Sequence, residues 1–178
     1  MIKKPDGFDE LLRTALNMEK KGRAMYKDAS GKSNNPIVKR TFAALSDDES
    51  IHLEAINLHI NNLNKKNKNG LFKSLLSKRS KKNSALSLAS YFRSLEGNLE
   101  KTSGDVSAYK FAMRFEKNSY EFYKKLKIKY PAKEASSLLV FLMGEEAKHL
   151  KILQDSFEYI NSPEDWFRRE ERSIVEGG

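Results

Sequence analysis

Two short stretches carry the same chemistry. Glu49-Ser50-Ile51-His52 and Glu146-Ala147-Lys148-His149 each place a carboxylate and an imidazole three residues apart. On a helix such residues lie about 60° apart on one face, one turn along the axis. Both side chains can then ligate the same metal ion. Each pair has an upstream companion, since Glu19 lies 30 residues before Glu49 and Glu116 lies 30 residues before Glu146. Glu116, Glu146 and His149 each follow Glu19, Glu49 and His52 by 97 residues. One helix pair is thus written twice. Four carboxylates and two histidines at matching positions form the ligand set of a dinuclear carboxylate site inside a four-helix bundle.

The elements that must position these residues follow from apolar spacing and from the turn residues. A first helix is expected from near Asp6, which can cap it, to about Ser30, with Gly31 as its stop. Glu19 lies on the same stripe as Phe8, Leu12, Ala15 and Tyr26. A carboxylate on a core-facing stripe is costly unless it is paired or metal-bound. Asn35-Pro36 restarts the chain, with Asn35 as cap and Pro36 at the first helical position. A second helix then runs to about Asn64. The turn near Asn34 lies 15 residues from both Glu19 and Glu49, about 22 Å of helix on each side, so antiparallel packing levels the two. Pro131 lies 15 residues from both Glu116 and Glu146 and does the same for a third helix, 105–130, and a fourth running to about Ile160.

Residues 65–104 differ in kind, being basic and polar between short apolar groups. They are expected to form a crossover with short helices near 71–77 and 85–96, because a bundle whose second and third helices run parallel needs a long return. After Pro163 a short helix through Trp166 and Phe167 is expected, with an irregular tail from Ser173 to Gly178. The fold class is all-α, a four-helix bundle of two repeated antiparallel hairpins in a single domain spanning 1–178.

Composition narrows the chemistry. The chain has no cysteine, which removes disulfides, thiol catalysis, cysteine-ligated zinc and iron–sulfur sites from these 178 residues. Hard oxygen ligands with one imidazole per metal favour iron, or else manganese or a mixed pair, over structural zinc. Glu49 and Glu146 are assigned as bridging ligands and Glu19 and Glu116 as terminal ones, with His52 and His149 taking one ion each. Four glutamates against two divalent ions bring the cluster near neutrality. Tyr26 and Tyr123 lie seven residues beyond Glu19 and Glu116 and are candidate hydrogen-bond donors to the carboxylates. His59 has no counterpart, because position 156 is serine, and is read as structural. The net charge of +9 is spread over many polar helix positions, so it reads as a solvated basic surface suited to an acidic protein partner rather than to nucleic acid. The first residues carry no apolar stretch and no run is long enough to span a bilayer, so a cytoplasmic, non-membrane protein is expected.

These paired motifs resemble the ferritin-like superfamily and, within it, the rubrerythrin family of di-iron proteins. The resemblance covers about residues 6–64 and 105–160. It implies two iron ions held by Glu19, Glu49, His52, Glu116, Glu146 and His149, in a centre that reacts with peroxide or dioxygen. The sequence departs from rubrerythrins at two points. It lacks the cysteines of a rubredoxin domain, and where the family carries an extra carboxylate one turn after the third-helix glutamate it has Ser119, with Gly22 at the equivalent place in the first helix. The function expected is peroxide or dioxygen reduction in oxidative-stress defence, by a homodimer supplied with electrons from an external acidic carrier. Two alternatives are ferroxidation with iron handling, and a non-catalytic, metal-stabilised bundle that binds an acidic partner.

Overall fold

The computed structural model describes residues 7–64, 101–131 and 133–176. These form α1 (Phe8–Lys32), α2 (Pro36–Asn64), α3 (Ser103–Lys129), α4 (Lys133–Asn161) and α5 (Pro163–Glu176), with no strand among the described residues. The expected crossover helices lie outside the described residues. No helix among those described is long and apolar enough to cross a membrane.

The α1–α2 turn is built as its residues dictate. The Asn35 side-chain oxygen accepts from the backbone N–H of Ile37 at 2.9 Å and of Val38 at 3.3 Å, filling donors that a helix start leaves open. Four boundaries differ from the sequence reading. Helix α1 passes through Gly31 to Lys32 and ends on Ser33, whose extended backbone leads into the Asn35 cap. At its start the cap position is Gly7, at φ 81°, with no side-chain cap, rather than Asp6, which lies outside the described residues. A left-handed φ of this kind suits glycine. Helix α3 starts two residues before Asp105, because Thr102 and Asp105 form a reciprocal capping box and the carboxylate belongs to the first turn. Beyond Trp166, α5 continues to Glu176 where an irregular tail was expected from Ser173.

Side-chain contacts fix how the helices run. Tyr26 meets Glu116 while Tyr123 meets Glu19, so α1 and α3 are antiparallel. His52 approaches Glu145 while His149 approaches Asp48, so α2 and α4 are antiparallel too. With each hairpin antiparallel in itself, α2 and α3 run parallel, as the long connection between them requires.

The core is divided into two apolar clusters. One gathers Leu12, Ala15, Ile56, Tyr123, Leu138 and Leu142 near the α3–α4 turn. The other gathers Tyr26, Phe42, Leu45, Tyr109, Leu153 and Trp166 near the α1–α2 turn. Helix α5 closes this second end, with Trp166 1% exposed and edge-on to Tyr159 at 5.2 Å. Where a second copy of His59 would fall, Ser156 instead joins Thr41 and Tyr109 in a buried hydroxyl group, at 2.8 and 2.5 Å. His59 packs edge-on to Phe8 with ring centroids 6.1 Å apart.

Replacing Asn35 by Ala is expected to cost about 1 kcal/mol, read as a lower urea midpoint with an unchanged slope, and replacing it by Gly a few tenths.

Candidate metal centre

Between the two apolar clusters lies a polar layer. Each of its residues comes from the middle of a helix, where the backbone is fully bonded and cannot supply partners to side chains. Glu49, His52, Glu116 and His149 are 0% exposed, Glu146 1% and Glu19 2%. All six residues singled out from spacing are therefore inside and at one level, between the same two clusters.

Three sets of ligand atoms come within 4.8 Å of one another. They are Glu19, His52 and Glu146; Glu49, Glu116, Glu146 and His149; and Glu49, His52 and His149. Glu146 belongs to sets containing each terminal glutamate, and Glu49 to sets containing each histidine, which is the placement expected of carboxylates lying between two ions. The histidines stack with centroids 5.0 Å apart and planes 17° from parallel. Both turn Nδ1 inward. His52 Nδ1 is 3.0 Å from Glu19, 3.4 Å from Glu49 and 3.7 Å from Glu146. His149 Nδ1 is 3.3 Å from both Glu49 and Glu116.

The tyrosines donate, but across the bundle. Tyr26 OH donates to Glu116 Oε1 and Tyr123 OH to Glu19 Oε1, each phenol serving the other hairpin's carboxylate rather than the glutamate on its own helix. Burial, then the charge of the adjoining glutamate, pushes both phenols well above the usual tyrosine range, so they stay protonated donors.

Two contacts went unnoticed in the sequence. The Nε2 atoms face Glu145 from His52, at 3.9 Å, and Asp48 from His149, at 3.6 Å. The negative charge behind each imidazole favours a proton on Nε2 and leaves Nδ1 for a cation. The signal was present: Asp48 and Glu145 immediately precede Glu49 and Glu146 and share the offset of 97 residues. An acid beside an acid on a helix ordinarily points to solvent, so nothing in the pattern alone set these two apart.

The donor set fits a pair of divalent cations. Both oxygens of Glu49 and of Glu146, Glu116 Oε2 and His149 Nδ1 are buried with no hydrogen-bond partner among the described residues. Buried carboxylate oxygens without partners are rare, because each costs its full desolvation. Protons fill the cluster when metal does not. Burial and then the neighbouring Glu49 push Glu19 up to about 8. Burial and Glu116 raise Glu146. Burial disfavours the charged form of Glu49 as well, but His52 beside it outweighs that and holds it well below the usual range. The imidazoles rise despite burial, His52 through Glu49 and His149 through Glu116.

The structure also accounts for the departure at position 22. A Cβ on Gly22 would lie 2.8 Å from the Phe115 ring and 3.5 Å from the Glu49 carboxylate carbon. A side chain at position 22 would have to displace the Phe115 ring. Ser119, its counterpart on α3, is buried and cannot ligate as a carboxylate does.

An all-helical bundle with a central carboxylate–histidine layer is the ferritin-like class of fold. A family model described as Rubrerythrin matches residues 10–157. The chain belongs to the rubrerythrin family, in the ferritin-like di-iron carboxylate superfamily. Neither a comparison with curated proteins nor one with solved structures found a match.

Because Glu19, Glu146, His52 and His149 hold their protons above their usual ranges in the metal-free cluster, a metal must displace them. Titration of metal-free protein with Mn(II) at pH 7 is expected to release roughly two to four protons per chain, and affinity is expected to rise with pH. Calorimetry in buffers of different ionisation enthalpy measures both.

Proposed function

We propose that the protein is a non-haem di-iron oxidoreductase that reduces hydrogen peroxide, with dioxygen as the competing oxidant. The observation that carries this reading is the duplicated, buried set of Glu19, Glu49, His52, Glu116, Glu146 and His149, within which both oxygens of Glu49 and of Glu146, Glu116 Oε2 and His149 Nδ1 lack hydrogen-bond partners among the described residues. Glu19 and His52 would hold one ion and Glu116 and His149 the other, with Glu49 and Glu146 shared. A pair of divalent irons held by these residues would supply the two electrons that peroxide reduction needs. With two protons these convert one peroxide into two waters, and an external donor restores the electrons.

The side chains do the rest. Tyr26 and Tyr123 hold Glu116 and Glu19 in place and keep those oxygens from swinging away. Asp48 and Glu145 place negative charge behind the imidazole rings. The apolar clusters on either side keep bulk water from the layer, which strengthens every charge interaction within it.

An acidic electron carrier as partner is supported by the uneven distribution of charge. Lys20, Lys21 and Arg23 on α1 and Lys110, Arg114 and Lys117 on α3 are all exposed, on the two helices that carry the terminal glutamates. On α2, exposed Lys39 and Arg40 are offset by exposed Asp47 and Glu54. A concentrated positive surface steers an acidic protein to that face and makes its association fall with added salt.

The test is anaerobic mixing of the Fe(II)-loaded protein with peroxide. Two Fe(II) are expected to be consumed per peroxide, with repeated turnover when a reductant is present. Oxidation by dioxygen alone, followed by accumulation of ferric mineral, would favour iron handling instead. Tyr123→Phe is expected to retain the fold and lower metal affinity or turnover roughly 10–100-fold, whereas Glu146→Ala is expected to abolish iron binding at the shared position.

A further inference from the structure

Helices α1 and α3 face each other across the metal layer and pack less closely than the two helices of either hairpin. At Gly22 a ring from α3 fills the seam. The Cβ position of that glycine is 2.8 Å from Phe115 Cε1, 3.2 Å from Cζ and 3.5 Å from the carboxylate carbon of Glu49. Ring and shared carboxylate therefore converge on one spot, and only an absent side chain lets them. Phe115 is partly exposed while Glu49 and Glu116 are buried. The ring thus reaches from solvent to the wall of the cluster. It rests edge-on against Tyr26, with centroids 6.5 Å apart and planes at 86°.

The other half of the bundle is built differently here. The offset of 97 residues puts Met18 in the place of Phe115 and Ser119 in the place of Gly22. The six cluster residues repeat in type across the offset and this wall does not. A partly exposed aromatic side chain over a bare glycine can change rotamer without moving the backbone, on a timescale far shorter than turnover.

We propose that Phe115 gates the path by which small oxidants reach the metal centre, with Gly22 as the floor of that path. Phe115 sets the rate at which small oxidants enter and takes no part in the chemistry. This rests on the reading of the cluster as a metal centre, and the two can be separated in one experiment.

Protein loaded with Co(II), which does not turn over, is mixed with azide, and the ligand-field absorption follows binding. A gate changes the rates of entering and leaving together. Phe115→Ala is expected to raise both rates about tenfold or more while leaving the dissociation constant within about twofold. Phe115→Trp is expected to slow both, and Met18→Ala to leave them unchanged. Phe115→Leu keeps apolar bulk and gives an intermediate rate, which serves if the alanine variant fails to fold. Unchanged rates in Phe115→Ala or Phe115→Leu, a change in the dissociation constant alone, or acceleration by Met18→Ala instead would overturn the gate while leaving the metal centre standing. Absence of an azide band in every variant would show a path closed whatever residue occupies position 115, and would overturn it as well. Failure of the wild-type protein to take up Co(II) would overturn the metal centre and the gate with it.

Discussion

Carboxylates held out of water within a few ångströms of one another cannot all be ionised unless cations lie among them. Glu19, Glu49, Glu116 and Glu146 are in that position, on four different helices, with two imidazoles between. Everything else in the bundle serves this layer or pays for it. Two apolar clusters on either side supply the burial that drives folding. They also lower the local dielectric, which makes the layer intolerable without protons or metal and strongly binding with them. Helix-borne ligands are the appropriate support, because packed helices hold side chains more firmly than loops do.

The repeat shows how one hairpin solves only half of the problem. Neither hairpin completes the layer alone. Tyr26 reaches over to Glu116 and Tyr123 to Glu19. His52 is backed by Glu145 and His149 by Asp48. Each half supplies partners to the cluster residues of the other, so the layer needs both hairpins. The symmetry breaks where function can differ, at Gly22 and Phe115 against Ser119 and Met18.

Most of the layer could be read from the chain, because helical periodicity converts spacing directly into direction. Glu19, Glu49, His52, Glu116, Glu146 and His149 were all found this way, and a turn midway between paired glutamates was enough to place them level. What spacing does not encode is which neighbour lies across a helix interface. Tyr26 and Tyr123 were recognised as donors from their own helices, yet their acceptors are on the opposite hairpin. Asp48 and Glu145 escaped notice because a helical acid is usually solvated, and only the approach of α2 to α4 turns them inward. Local cap chemistry was legible at Asn35, where the side chain decides. It was misread at Gly31, because a glycine that leaves its surroundings open need not end a helix, and the third helix begins two residues before Asp105 because its cap is Thr102.

The departures from the rubrerythrin pattern have a structural basis. Phe115 and Glu49 occupy the space into which a side chain at position 22 would project, and Ser119 stands where a further carboxylate would have to come from α3. The six buried residues of the layer remain its candidate ligand set. The most direct test of the account is the anomalous diffraction of crystals grown from iron-loaded protein, recorded on both sides of the iron absorption edge. The account predicts two peaks per chain in the central layer, each within bonding distance of one histidine and both touching Glu49 and Glu146. Iron found only at the surface, or an interior layer without any anomalous peak, would contradict it.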